Sequence, residues 1–249
     1  MPDESSMLLA IPRNCHYCGN GYYALHHVAE YAKQKGIWDT IVLEKEQANK
    51  GPIFDVLNQQ DPGYFYGFGH GNLGIFTCDA EEAVFTVDNV DVLANRVIYL
   101  LSCLTANQLG PAIINNGALA YAGFNISWTW ISDNVDGDPY EELYGKCFYE
   151  SANELWVALI DGETFDDAVQ RSIDKYNKWI DYWFYENAKD PRSQECIMWL
   201  AHDRDGLVAY EKGDVVPTGT ILPIEINWPL VIGIGVVAGL LFLSFKKQH

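Results

Sequence analysis

The chain has 249 residues, enough for one large domain with a sizeable core or two small ones, and with 49% hydrophobic and 20% charged residues it is not a disordered polypeptide. With 34 acidic against 16 basic residues its formal net charge is −18, and no basic stripe stands out, so phosphate backbones repel it and nucleic acid is excluded as a partner. Six cysteines in this length do not make a dense disulfide framework.

In chain order, short β-type runs alternate with helical stretches. Residues 7–11 predict a first strand. Residues 22–35 predict a helix, with Leu25, Val28, Ala29 and Ala32 at helical spacing and Gly36 as its stop. Residues 40–43 predict a second strand, Pro52 opens a short helix, and residues 64–68 predict a third strand. A small hairpin over 75–78 and 84–87 fits the interval before the fourth strand, 97–101. A helix over 105–116 and a fifth strand over 118–123 follow. Near-continuous apolar strands in β-α-β-α order predict a mostly parallel sheet with helices on both faces. Asp138, Pro139 and Glu141 form an N-terminal helix signal for a helix running to about 160, and Thr164 starts another to about 187. The aromatic set Trp179, Tyr182, Trp183, Phe184 and Tyr185 in that second helix reads as core. Residues 198–200 and 207–210 predict late strands. The peptide 217–227 reads as a linker between a domain over 1–216 and residues 228–245, which contain 18 residues without a charge. At about 1.5 Å per residue that run reaches roughly 27 Å, the thickness of a bilayer core. Trp228 at one end and Lys246 and Lys247 in the basic tail 246–249 at the other are interface residues of a single-pass anchor. The lysines predict a cytoplasmic C-terminus with the large domain outside. The acidic N-terminus, with no signal-peptide pattern, points the other way.

Two segments carry chemistry. An apolar strand ends in Gly69-His70-Gly71, and another ends in Ser102-Cys103. In parallel sheets, reactive groups gather beyond the carboxyl ends of the strands. A thiol becomes a strong nucleophile when an imidazole takes its proton, and the same imidazole later protonates a leaving amine. The glycine after His70 lets backbone approach a substrate. The N–H groups of Gly71 and Cys103 then form an oxyanion hole, a contribution of about 3–4 kcal/mol per donor. His16, His26, His27 and His202 compete for the histidine role, but none ends an apolar strand with a glycine after it. Cys15 and Cys18 form a C-x-x-C pair, open to reading as a redox pair, a local disulfide or, with His16, a metal site. No second C-x-x-C completes a zinc site.

An apolar strand ending in His-Gly followed by one ending in Ser-Cys resembles the caspase-like clan of cysteine peptidases. The spacing of 33 positions from His70 to Cys103, and the run from Asn115 to Gly123 after the cysteine, resemble its gingipain branch. The resemblance covers roughly residues 7–130. It implies a caspase-like three-layer α/β sandwich and a cysteine endopeptidase acting on protein or peptide substrates through His70 and Cys103. It also implies a cleft lined by Trp128, and a loop after the first strand that helps build the S1 pocket. In that loop Arg13 favours an acidic P1 residue. Asp133, Asp136 and Asp138, after Trp128 and Trp130, favour a basic one, and with the strongly acidic composition they predict lysine or arginine. The resemblance calls for no cofactor or metal. Calcium on these acids is a further option, without EF-hand spacing. Rival readings are a transamidase sharing the acyl-enzyme, a catalytically silent membrane-anchored binding module, and a metal-binding domain on Cys15, His16 and Cys18. Oligomeric state is not legible.

Overall fold

The computed structural model describes residues 3–13, 18–36, 39–78 and 82–214. The predicted membrane anchor and the whole of its linker lie outside these residues. Among the described residues no helix is long and apolar enough to cross a membrane.

The main sheet has six strands. In chain order these are β1 (Asp3–Ile11), β2 (Asp39–Glu44), β3 (Pro62–Phe68), β7 (Val97–Leu101), β8 (Ala120–Phe124) and β9 (Leu207–Glu211). The spatial order is β2-β1-β3-β7-β8-β9. All pairings are parallel except β8 with β9. Between β3 and β7 the chain forms a small antiparallel sheet of β4 (His70–Asn72), β5 (Ile75–Thr77) and β6 (Phe85–Thr86). The hairpin expected here exists, with an additional strand that begins at His70.

The unbroken apolar character of the strands follows from burial on both faces. In β1, Met7, Leu9 and Ile11 turn to one face and Leu8 and Ala10 to the other, and all are fully buried. The first face carries α1 (Cys18–Lys35), α4 (Leu143–Ile160), α5 (Phe165–Asp181) and α6 (Ser193–Gly206). The second carries α2 (Lys50–Gln59) and α3 (Leu109–Asn115), with the hairpin beside them. This is the three-layer, mostly parallel arrangement that the alternating pattern predicts.

Four local differences have physical causes. The helix expected from 105 begins only at Leu109, because Leu104 sits in the left-handed region at φ 63° and residues 103–108 form a turn. The helix expected from Asp138 is interrupted. Asp138 accepts the Tyr140 N–H to cap a single 3₁₀ turn, Glu142 is extended, and α4 starts afterwards. Residues 198–200 are helical within α6, not a strand. Of the aromatics at positions 179–185, Trp183 is fully buried while Phe184 and Tyr185, past the end of α5, are exposed, so that set is only partly core.

Candidate active site

β3 and β7 are hydrogen-bonded neighbours with Phe68 opposite Leu101. His70 and Cys103 therefore lie at equivalent positions, each two residues past that pair. The Gly69 N–H donates to the Leu101 carbonyl at 3.4 Å and is the last link between the strands before they part. At Gly69 a side chain would collide with the Thr77 carbonyl, so glycine is required where the chain leaves the main sheet for β4. Gly71 is equally constrained. A Cβ there would fall 2.5 Å from the Cys103 carbonyl oxygen and 2.7 Å from Thr105 Cγ2. The two backbone segments of the expected oxyanion hole are thus in direct contact.

A cavity of about 180 Å³ opens at these strand ends, lined by Cys18, Phe68, Gly69, His70, Leu101, Ser102, Cys103, Trp128 and Trp130. His70 is exposed and Cys103 is half-buried. The Cys103 Sγ–H points to the Trp128 carbonyl at 3.8 Å. Burial pushes the Cys103 thiol above its ordinary range; a backbone hydrogen bond at Trp128 partly offsets this, and the Asp203 carboxyl adds to it. Burial thus favours the protonated form of Cys103.

The turn after the cysteine is held from several sides. Leu104 donates its N–H to Ile126 O at 2.9 Å, and Ala106 donates to Phe124 O at 3.0 Å. The buried Asn107 amide bridges the carbonyls of Leu104 and Asn125 at 2.9 and 3.0 Å. A leucine at φ 63° beside Cys103 is a conformation that persists only where its surroundings over-determine it.

Residues 125–129, which carry Trp128, are clamped on their far side by the end of α6. Asn125 N–H donates to Gly206 O at 3.0 Å, and His202 Nε2 meets Ser127 O at 3.1 Å. Asp203 is fully buried, and its Oδ1 accepts the Thr129 N–H at 3.1 Å. Among the described residues Asp203 Oδ2 has no hydrogen-bond partner. Burial pushes this carboxyl well above the usual carboxylate range, with only the Thr129 N–H opposing it. Sequence reasoning missed Asp203. The signal was its place in the helical stripe Ser193, Cys196, Leu200, Asp203, hidden once 198–200 is read as a strand.

A pH test follows for Asp203. Its folded value lies above the unfolded one of about 3.9, so the native state keeps a proton that the unfolded chain releases, and stability falls as pH rises from about 4. Asp203→Asn cannot titrate. In urea unfolding it is expected to gain on the wild type between about pH 4.5 and about pH 7.5, levelling off only where pH passes the folded value. A constant difference across that range would show that the buried carboxyl is ionised.

The structure brings His70, Gly71, Cys103 and Trp128 to one place and leaves the other expected residues elsewhere. Asp133 is exposed and pairs with Arg192 at 3.2 Å. Asp136 is exposed beside Gly19 of α1, where Asn20 N–H donates to Val135 O at 2.9 Å. Arg13 lies over the rings of Tyr22 and Tyr23, at 4.6 and 5.0 Å. Neither these three nor Asp138, which pairs with His27, line the cavity, so the acids behind the expectation of a basic P1 residue are not at the site among the described residues. The competing histidines are engaged: His26 with Glu44, His27 with Asp138 and His202 with Ser127 O. Cys18 is disulfide-bonded, and Cys15 and His16 lie outside the described residues. Among the described residues no group of three or more His, Cys, Asp or Glu side chains is arranged to hold a metal ion.

No protein-family model matches the chain, and no curated protein matches it in sequence. Solved structures do. The complex of the pro- and mature domains of RgpB from Porphyromonas gingivalis superposes with a TM-score of 0.53 at 11% identity, over 85% of this chain and 48% of that one. The Arg-specific cysteine proteinase gingipain R gives a TM-score of 0.52 at 13% identity, over 85% and 46% of the two chains. A third structure, described as a protease, gives 0.52 at 15% identity, over 87% and 50%. This chain spans about half the length of each. At such identities the likeness is one of fold: the mostly parallel sheet with its covering helices is the caspase-like fold in its gingipain form.

Proposed function

We propose that the protein is a cysteine-type endopeptidase that hydrolyses peptide bonds through Cys103 and His70, tethered to a membrane by residues 228–245. One observation carries the enzymatic part: the exposed imidazole and the half-buried thiol share one cavity at adjacent strand ends. The gingipain-type fold supports the same reading.

The chemistry runs through two acyl transfers. Cys103 Sγ attacks the scissile carbonyl while its proton passes to His70. The carbonyl oxygen, now an anion, faces the N–H groups of Gly71 and Cys103. Collapse breaks the C–N bond, the amine takes the proton from His70, and the acyl group remains as a thioester on Cys103. Water, giving up a proton to His70, then releases the acid and restores the thiol.

A peptidyl acyloxymethyl ketone tests this directly. Among the described residues Cys103 is the half-buried free cysteine, whereas Cys78, Cys147 and Cys196 are buried. Mass mapping is expected to find a single adduct at Cys103, forming faster as pH rises above neutrality and much more slowly in His70→Ala. Modification spread over the other cysteines, or an unchanged rate in His70→Ala, would refute the dyad.

A further inference from the structure

Resting on the peptidase reading, we infer that the cavity beside Cys103 receives an uncharged apolar side chain, of leucine to phenylalanine size, from the residue whose carbonyl acylates the thiol. That residue's side chain is the one nearest the nucleophile, so the wall next to Cys103 selects it. The described wall is apolar: Phe68 and Leu101 from the strand ends, and the stacked indoles of Trp128 and Trp130, 5.2 Å apart and inclined by 25°.

The polar edges of those indoles are already committed away from the cavity. Trp128 Nε1–H donates to Tyr176 Oη at 3.3 Å, and Trp130 Nε1–H donates to Asn20 Oδ1 at 3.0 Å. Ser102 Oγ is paired with Thr105 Oγ1 at 3.2 Å. Asp203, the buried acid of this region, holds the Thr129 N–H and is not among the lining residues. An ammonium or guanidinium placed here meets no carboxylate among the described lining residues, and an unpaired buried charge is costly. Size agrees as well. A dry apolar cavity of about 150 Å³ admits benzene, and this one measures about 180 Å³.

The test is a fluorogenic peptide panel on the full chain, with leucine, phenylalanine, methionine, arginine, lysine and aspartate at P1, run beside Cys103→Ala. Leucine or phenylalanine is expected to exceed arginine, lysine and aspartate in kcat/KM by at least about 10-fold, the scale on which apolar pockets discriminate. Cleavage after arginine, lysine or aspartate at a rate equal to or above leucine, and absent in Cys103→Ala, overturns the apolar pocket and leaves the peptidase standing. A flat panel does the same. No turnover of any substrate, with no adduct at Cys103 from ketones carrying the same six residues, overturns the peptidase and the pocket together.

Discussion

Cys103→Ala is expected to lower kcat/KM for peptide hydrolysis by at least about 10³-fold, and His70→Ala by a comparable factor. In the proposed mechanism the two groups act as one unit, so the double variant should be no worse than the single ones. Removing the thiol leaves nothing to form the thioester, and removing the imidazole leaves a thiol whose proton burial makes harder to lose. Neither change should disturb folding. The cysteine is half-buried with one long contact to Trp128 O, and the histidine is exposed. Steady-state kinetics on the four proteins, with melting curves as controls, decide the matter. Losses that multiply in the double variant would mean that the residues work separately.

Trp156→Ala is expected to destabilise the domain by about 3–5 kcal/mol, as large-to-small changes at buried aromatics do. Trp156 is fully buried. Its ring stacks on Tyr66 at 5.3 Å, and Tyr66 stacks in turn on Tyr99 at 5.0 Å. The column thus fastens α4 to β3 and β7, the strands that present His70 and Cys103. Trp156→Phe separates packing from polarity. The Trp156 Nε1–H has no hydrogen-bond partner among the described residues, so phenylalanine keeps much of the stack and removes an unsatisfied donor. That variant should stay within about 1.5 kcal/mol of wild type. Urea denaturation measures both, and equal losses for alanine and phenylalanine would show that ring packing is not what the site contributes.

The parts legible in the sequence were those with local causes. Strands buried on both faces are unbroken apolar runs, so β3 and β7 and the groups at their ends could be read directly. The glycine after His70 announced a close backbone approach, whereas the equal demand at Gly69 emerged only from the structure. The misplaced parts depend on partners far along the chain. Asp133 and Asp136 follow Trp128 closely in sequence, yet their loop turns back onto α1, where Asn20 Nδ2 holds the carbonyls of Asn134 and Gly137 at 2.8 Å each. Nothing near position 133 encodes a partner at position 20. Residues 198–200 are an apolar run too short to distinguish helix from strand by period. The mistaken strand also broke up the stripe that would have exposed Asp203. The left-handed backbone at Leu104 had no signal at all, because leucine is not a residue chosen for that conformation.

The reversed direction of β9 has a consequence for how the molecule stands. Leu207 pairs with Phe124 at the end of the sheet that bears the cleft, and Glu211 pairs with Ala120 at the other. The strand carries the chain from one pole of the domain to the opposite one, about 17 Å at the usual rise per residue. The polypeptide beyond Asp214 thus sets out from the pole opposite His70 and Cys103. The proposed tether at residues 228–245 thus connects to the domain at the end of the sheet away from the cleft.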